Sequence, residues 1–110
     1  MIRIRLCKDH LDEFVSVRVS GHADYAEYGQ DIVCSAVSML TINTVNSITH
    51  LLDIALDPQS DAGILVCDFP RQENRELQEK MQLLLASMFL GIQSLKENYS
   101  GYIEYEVIYV

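Results

Sequence analysis

Cys34 and His22 are the two side chains of this sequence best suited to nucleophilic chemistry as a pair. A thiol attacks a carbonyl carbon well only as a thiolate. Without a metal, a helix N-terminus or a neighbouring cation lowers its pKa. Cys34 lies three residues after Asp31, in the expected first turn of a long helix. Unpaired backbone N–H groups there favour an anion, and can also hold the oxyanion of a tetrahedral intermediate. His22 opens a segment from Gly21 to Asp31 with glycines near both ends. Such a segment reads as a mobile loop, able to fold back over the helix start and bring the imidazole to the sulfur. Asp31 has two open readings. It can orient His22 as the third member of a triad, or cap the helix that follows. A carboxylate beside the sulfur opposes its ionisation, which favours a cap that points away. Ser38 stands one helical turn beyond Cys34 on the same face. It either contacts substrate or bonds back to the carbonyl of residue 34.

These residues need elements to hold them. Ile2, Ile4 and Leu6 alternate with Arg3, Arg5 and Cys7, and Val15, Val17 and Val19 alternate within Phe14 to Ser20. Both runs have period two and predict a hairpin turning at Asp9 to Asp12. Ile32 to about Leu56 reads as a helix, with Val33, Val37, Leu40, Thr44, Ser47, Ile48, Leu51 and Leu52 near helical spacing. Asp57-Pro58 stops it. Its many small and β-branched residues mean that packing, not propensity, must hold it. Gln59 to Gly63 reads as a turn and Ile64 to Phe69 as a short buried strand, with residues 55 to 57 a possible extra strand. Asn74 to Asn98 is the clearest helix, with an apolar stripe of Leu77, Met81, Leu84, Leu85, Met88, Ile92 and Leu95. Tyr102 to Val110 alternates and closes the sheet. The order is ββαβαβ with one possible extra short strand. The expected fold is α+β and two-layered: a mixed sheet with two long helices on one face.

Composition bounds the rest. A length of 110 residues, about half of them apolar, predicts one domain over residues 1–110 with a core that needs neither disulfides nor metal. The three cysteines show no CxxC spacing, and no signal-peptide pattern opens the chain. That predicts reduced thiols in the cytoplasm. Cys7, Cys67, His10 and His50 lack metal-ligand spacing, so no metal or other cofactor is expected. No segment is read as long enough to span a membrane, and no membrane partner is expected. Eight Lys and Arg face sixteen acids, for a net charge of −8. This argues against direct nucleic-acid binding and suits a basic protein substrate.

Gly21-His22-Ala23, followed by Gly29-Gln30-Asp31-Ile32-Val33-Cys34-Ser35-Ala36-Val37-Ser38, resembles the signature of the ribosomal-processing cysteine protease family, Prp. The resemblance extends over the whole chain. Ser35 stands where small residues such as Ala are common in the family. The resemblance implies a homodimeric cysteine endopeptidase. Its substrate would be a bacterial large-subunit ribosomal protein of the bL27 type bearing an N-terminal extension, cut after an aromatic-rich apolar stretch. His22 and Cys34 map onto the family's dyad, with Gly21, Asp31 and Ser38 as supporting or substrate-binding positions. An apolar groove is then expected near Cys34. The alternatives are a non-catalytic ribosome-associated module of the same fold and, last, a thiol redox sensor. The latter lacks a nearby resolving cysteine.

Overall fold

The alternation of Ile2, Ile4 and Leu6 with arginines becomes β1 (Ile2–Lys8), its apolar side buried and Arg3 and Arg5 in solvent. A computed structural model describes residues 1–21, 28–61 and 64–110, with backbone alone for residues 28–31. Antiparallel to β1 runs β2 (Phe14–Ser20), and β5 (Ile103–Tyr109) runs parallel on its other side. Next to β2 lies β4 (Ile64–Asp68), with the short β3 (Gln59–Asp61) at the edge. The order β3-β4-β2-β1-β5 is a mixed sheet. Two helices, α1 (Tyr28–Leu52) and α2 (Arg75–Asn98), complete the α+β fold.

The sequence reading differs from the structure at several places. The extra strand is at Gln59–Asp61, in the predicted turn, and not at residues 55 to 57. Pro58 precedes it, which suits an edge where a missing N–H costs nothing. In β2 the buried series is Phe14, Val17 and Val19, with Val15 half-buried. The register slips between Cys7↔Ser16 and Lys8↔Phe14, so Val15 is an extra residue that resets the alternation. The Gln82 side chain repairs the bulge. Its Oε1 accepts from the Phe14 amide at 2.7 Å and its Nε2 donates to the Phe14 carbonyl at 2.9 Å.

The third difference is the end of α1, at Leu52 and not near Leu56. Asp53 takes a left-handed φ of 55°, which turns the chain out of the helix and buries Ile54. Finally, Ile32–Leu52 is a 21-residue stretch of mean hydropathy 1.4, long and apolar enough to cross a membrane. The expectation that no segment has that length therefore fails. In this fold the helix serves as a wall of the core: Val33, Val37, Val45 and Ile48 are buried. Thr41 and Thr44, also buried, donate their hydroxyls to the carbonyls of Val37 and Leu40 at 2.8 Å, so both hydroxyls are paired. Leu51, expected on the buried stripe, is 75% exposed.

From α2, the core receives Met81, Leu85, Met88 and Ile92. The two helices approach closely at Gly91, where an added Cβ would sit 2.7 Å from the Leu40 side chain. Phe89 meets Phe14 in a tilted contact and Tyr105 edge to face, which joins β2, α2 and β5.

Candidate active site

The end of β2 places the start of the segment that carries His22. Gly21 has φ +82°, and a Cβ there would lie 2.2 Å from the Met1 carbonyl oxygen. Only glycine fits this position, because both the backbone sign and the space exclude a side chain. Gly21 thus sets the direction in which the chain leaves the sheet. His22 itself lies outside the described residues, as does the rest of 22–27. In the chain, segment 21–27 joins the exit of β2 to the entry of α1.

Cys34 is on α1, half-buried and packed against the core cluster. Its position in the helix corrects the sequence reading. With α1 starting at Tyr28, Cys34 is in the second turn and not the first. The unpaired N–H groups of a helix belong to its first four residues, here 28–31, roughly 5–9 Å ahead along the axis. Helix-end stabilisation falls off within about one turn, so it contributes less to a Cys34 thiolate than expected. More of the activation must come from a base. Asp31, in turn, is the fourth residue of α1, not the residue before it. A cap needs non-helical backbone ahead of the first turn, so the capping reading fails. The Asp31 side chain lies outside the described residues.

Ser38 is half-buried one turn beyond Cys34. It lines a groove of about 330 Å³ with Thr41, Ile42, Val45, Asn46, Pro58, Ser60, Ile64 and Leu65. This is the kind of apolar groove expected near Cys34. Apart from Ser38, its lining residues were not singled out in the sequence, yet a signal existed. Positions 34, 38, 41 and 45 follow the i, i+4, i+7, i+11 spacing of one helical stripe.

The other two thiols offer no rival site. Cys67 is buried on β4, and burial, with Asp68 and Asp57 adding repulsion, pushes its pKa up to about 11. Cys7 sits half-buried on β1. No disulfide joins any of the three. Among the described residues no cluster of His, Cys, Asp or Glu is arranged to hold a metal ion.

A half-buried thiol one helical turn from an open groove can perform acyl transfer where an imidazole reaches it. The thiolate attacks a peptide carbonyl, an imidazolium gives its proton to the leaving amine, and water then hydrolyses the thioester.

Comparison with known proteins agrees with this chemistry. The family described as cysteine protease Prp matches residues 1–104. The ribosomal processing cysteine protease Prp of Bacillus subtilis is 31% identical over 101 residues, covering 90% of each chain. The Staphylococcus aureus Prp in complex with a substrate peptide superposes with a TM-score of 0.87 at 27% identity, covering 97% of this chain and 99% of that one. A second S. aureus Prp structure, with a covalently linked product peptide, has a TM-score of 0.80 at 29% identity over the full length of both chains. The chain therefore belongs to the Prp family of ribosomal-processing cysteine proteases and is a cysteine protease.

Proposed function

We propose that this protein removes the N-terminal extension of a bacterial large-subunit ribosomal protein of the bL27 type, with Cys34 as nucleophile and His22 as general base and then acid. The observation that carries the reading is the position of Cys34: half-buried on α1, one turn from the groove that begins at Ser38. Cys34 is the seventh residue of α1, the helix that follows in sequence the segment holding His22. Cys67 is unsuited to the role, because a pKa near 11 leaves almost no thiolate at neutral pH. The relatives' names and the peptide complexes of the S. aureus protein support both the substrate class and the thiol chemistry. Asp31 orients His22 in this reading.

The same reading places the enzyme in the cytoplasm, where ribosomal proteins are made and thiols stay reduced. It also takes the protein to act as a homodimer. Met39 on α1 and Leu83 and Leu90 on α2 are 69%, 71% and 66% exposed, apolar side chains that a second copy could cover. Light scattering at micromolar concentration tests this, and a monomer mass refutes it.

Incubation with the extended ribosomal protein, followed by mass measurement of the product, tests the activity. A single product shortened from its N-terminus is expected. Intact substrate after prolonged incubation, with binding retained, would instead favour a non-catalytic module of the same fold.

A further inference from the structure

Strand register sorts the side chains of the open sheet face into rows. Ile2, Ile4, Leu6, Val17, Val19 and Ile103 turn to the core, so their neighbours along each strand turn away from it. On that outer face Arg5 of β1 lies opposite Arg18 of β2 on one side and Glu106 of β5 on the other. Two positions along β1, Arg3 lies between Ser20 and Glu104 in the same way. These six side chains, with Lys96 of α2, line a cleft of about 420 Å³. Its charges do not balance. Arg3 pairs with Glu104 at 3.7 Å and Arg5 with Glu106 at 2.8 Å. Arg18 and Lys96 join no ion pair among the described residues. The cleft thus holds two positive charges in excess, on a chain whose net charge is −8.

The register adds a conflict that the count alone does not show. Arg5 and Arg18 are direct partners across β1 and β2, where Cβ atoms stand about 5 Å apart and facing like charges destabilise the pair. Nothing beside Arg18 relieves it. Its other cross-strand partner is Val66, and its neighbours on this face of β2 are Ser16 and Ser20. An anion set between the two guanidinium groups replaces their repulsion with charge-assisted hydrogen bonds. Donors for it are at hand. Arg5 bonds Glu106 through Nε, and Arg3 approaches Glu104 through Nε, which leaves the terminal nitrogens of both for another acceptor. The Ser20 hydroxyl stands next to them on β2.

We propose that this cleft is a binding site for a small phosphate-bearing molecule, held between Arg18 and Arg5 with Arg3 and Ser20 as further donors. A phosphate group carries nearly two negative charges at neutral pH and offers three acceptor oxygens, which matches the excess charge and donors that converge from two strands. A carboxylate brings one charge and two oxygens and leaves part of both unused. The volume falls within the range of small-molecule sites. A polynucleotide does not fit, because the face turns acidic on both sides of the cleft: Glu104 and Glu106 on β5, and Asp68 opposite Ser16 on β4. The site is separate from the protease chemistry, since Cys34 packs against the core on the other side of the sheet.

The probe is pyrophosphate, titrated into the full chain by calorimetry at low salt, with Tm followed in parallel. Saturable binding is expected, and Arg18→Gln should raise Kd about tenfold or more. Glu106→Gln, which leaves Arg5 without its carboxylate, should lower Kd severalfold. In the absence of ligand, Arg18→Gln should melt at or above the Tm of the parent, because it removes one of two facing like charges. Saturating pyrophosphate should raise the Tm of the parent and leave that of Arg18→Gln nearly unchanged. No binding by the parent at millimolar pyrophosphate, or equal Kd in the parent and Arg18→Gln, overturns the site. A lower Tm of ligand-free Arg18→Gln would make the arginine a structural residue and overturn it as well. A single-stranded oligonucleotide or a Glu-rich peptide that displaces pyrophosphate at a tenth of its concentration would assign the face to a macromolecular partner, against the proposal.

Discussion

α1 and α2 are almost equal in length, 25 and 24 residues, and both contribute buried residues to the same core, but they are held in different ways. The start and end of α2 are secured locally. Asn74 caps it by accepting from the Leu77 amide at 2.9 Å, Glu76 stands in the first turn and Lys96 in the last. Arg75–Glu79 and Glu76–Lys80 add i,i+4 pairs on its exposed face, each a small contribution. By contrast α1 contains no Lys or Arg, and its clear support comes from residues buried against the core and from Leu40 against Gly91. The well-capped helix supplies the stability of the layer. The helix that carries Cys34 depends on its neighbours for its place. Such a division leaves α1 free to use residue types chosen for the site, Cys34 and Ser38 among them, at a cost in helix propensity.

The largest expected effect separates the two helices outright. Cys34→Ser should reduce cleavage by roughly a thousandfold or more while shifting Tm by no more than about 2 °C. His22→Ala should do the same, and the double variant should be little worse, since residues acting as a unit are not additive. Full activity in Cys34→Ser would remove the nucleophile assignment. On α2, Leu85→Ala or Met88→Ala should cost about 2–5 kcal/mol in a denaturant titration and leave the turnover of the remaining folded protein nearly unchanged. Leu51→Ala at the exposed end of α1 should stay within about 0.5 kcal/mol.

The ends of the helices sharpen the contrast at a smaller scale. Asn74→Ala should cost about 1 kcal/mol, the usual worth of a side-chain cap. Asp31→Asn should leave Tm unchanged and lower activity, because Asp31 stands inside α1. A fall in Tm as large as that of Asn74→Ala, with activity intact, would restore its capping role.

The smallest effect belongs to the β1–β2 turn, which lies beside the start of α2. A hydrogen bond from Tyr109, and then one from Lys8, hold the Asp12 carboxyl below its ordinary value of 3.8. A folded-state pKa lower than the unfolded one means a contribution fully present above 3.8 and lost as pH falls through the depressed value. Acid titration of Asp12→Asn should therefore lack a small loss of stability, at that pH, that the parent shows. An identical acid limb in the two proteins would show that these bonds contribute nothing.

Much of this architecture could be read from the residues in order. The alternation in β1 and β5 and the stripe on α2 reappear as buried faces, because period and burial are the same information in an element packed on one side. Non-local events hid the rest. The phase of β2 changes at a bulge whose backbone is satisfied by Gln82, 68 residues away in the chain. The strand at Gln59–Asp61 is wholly exposed and polar, so no hydrophobic pattern announces it; it exists because β4 lies beside it. Likewise, Asp53 ends α1 in a left-handed turn that allows Ile54 to reach the core, and the proline farther on is not the cause.

For the site, the order of residues alone determined the candidate pair, through the types and flanks of His22 and Cys34, and marked Gly21 as a position of interest. Chemistry at this level depends on side-chain type, which is written in the sequence. Only the tertiary structure decided that Gly21 is packed under the Met1 carbonyl, that Cys34 stands a full turn inside its helix, and that Ser38 opens a groove walled by β3 and β4. Each of these is a relation between segments distant in the chain, set by how a bulged, twisted sheet and two helices share one core. Neither periodicity nor spacing carries that relation.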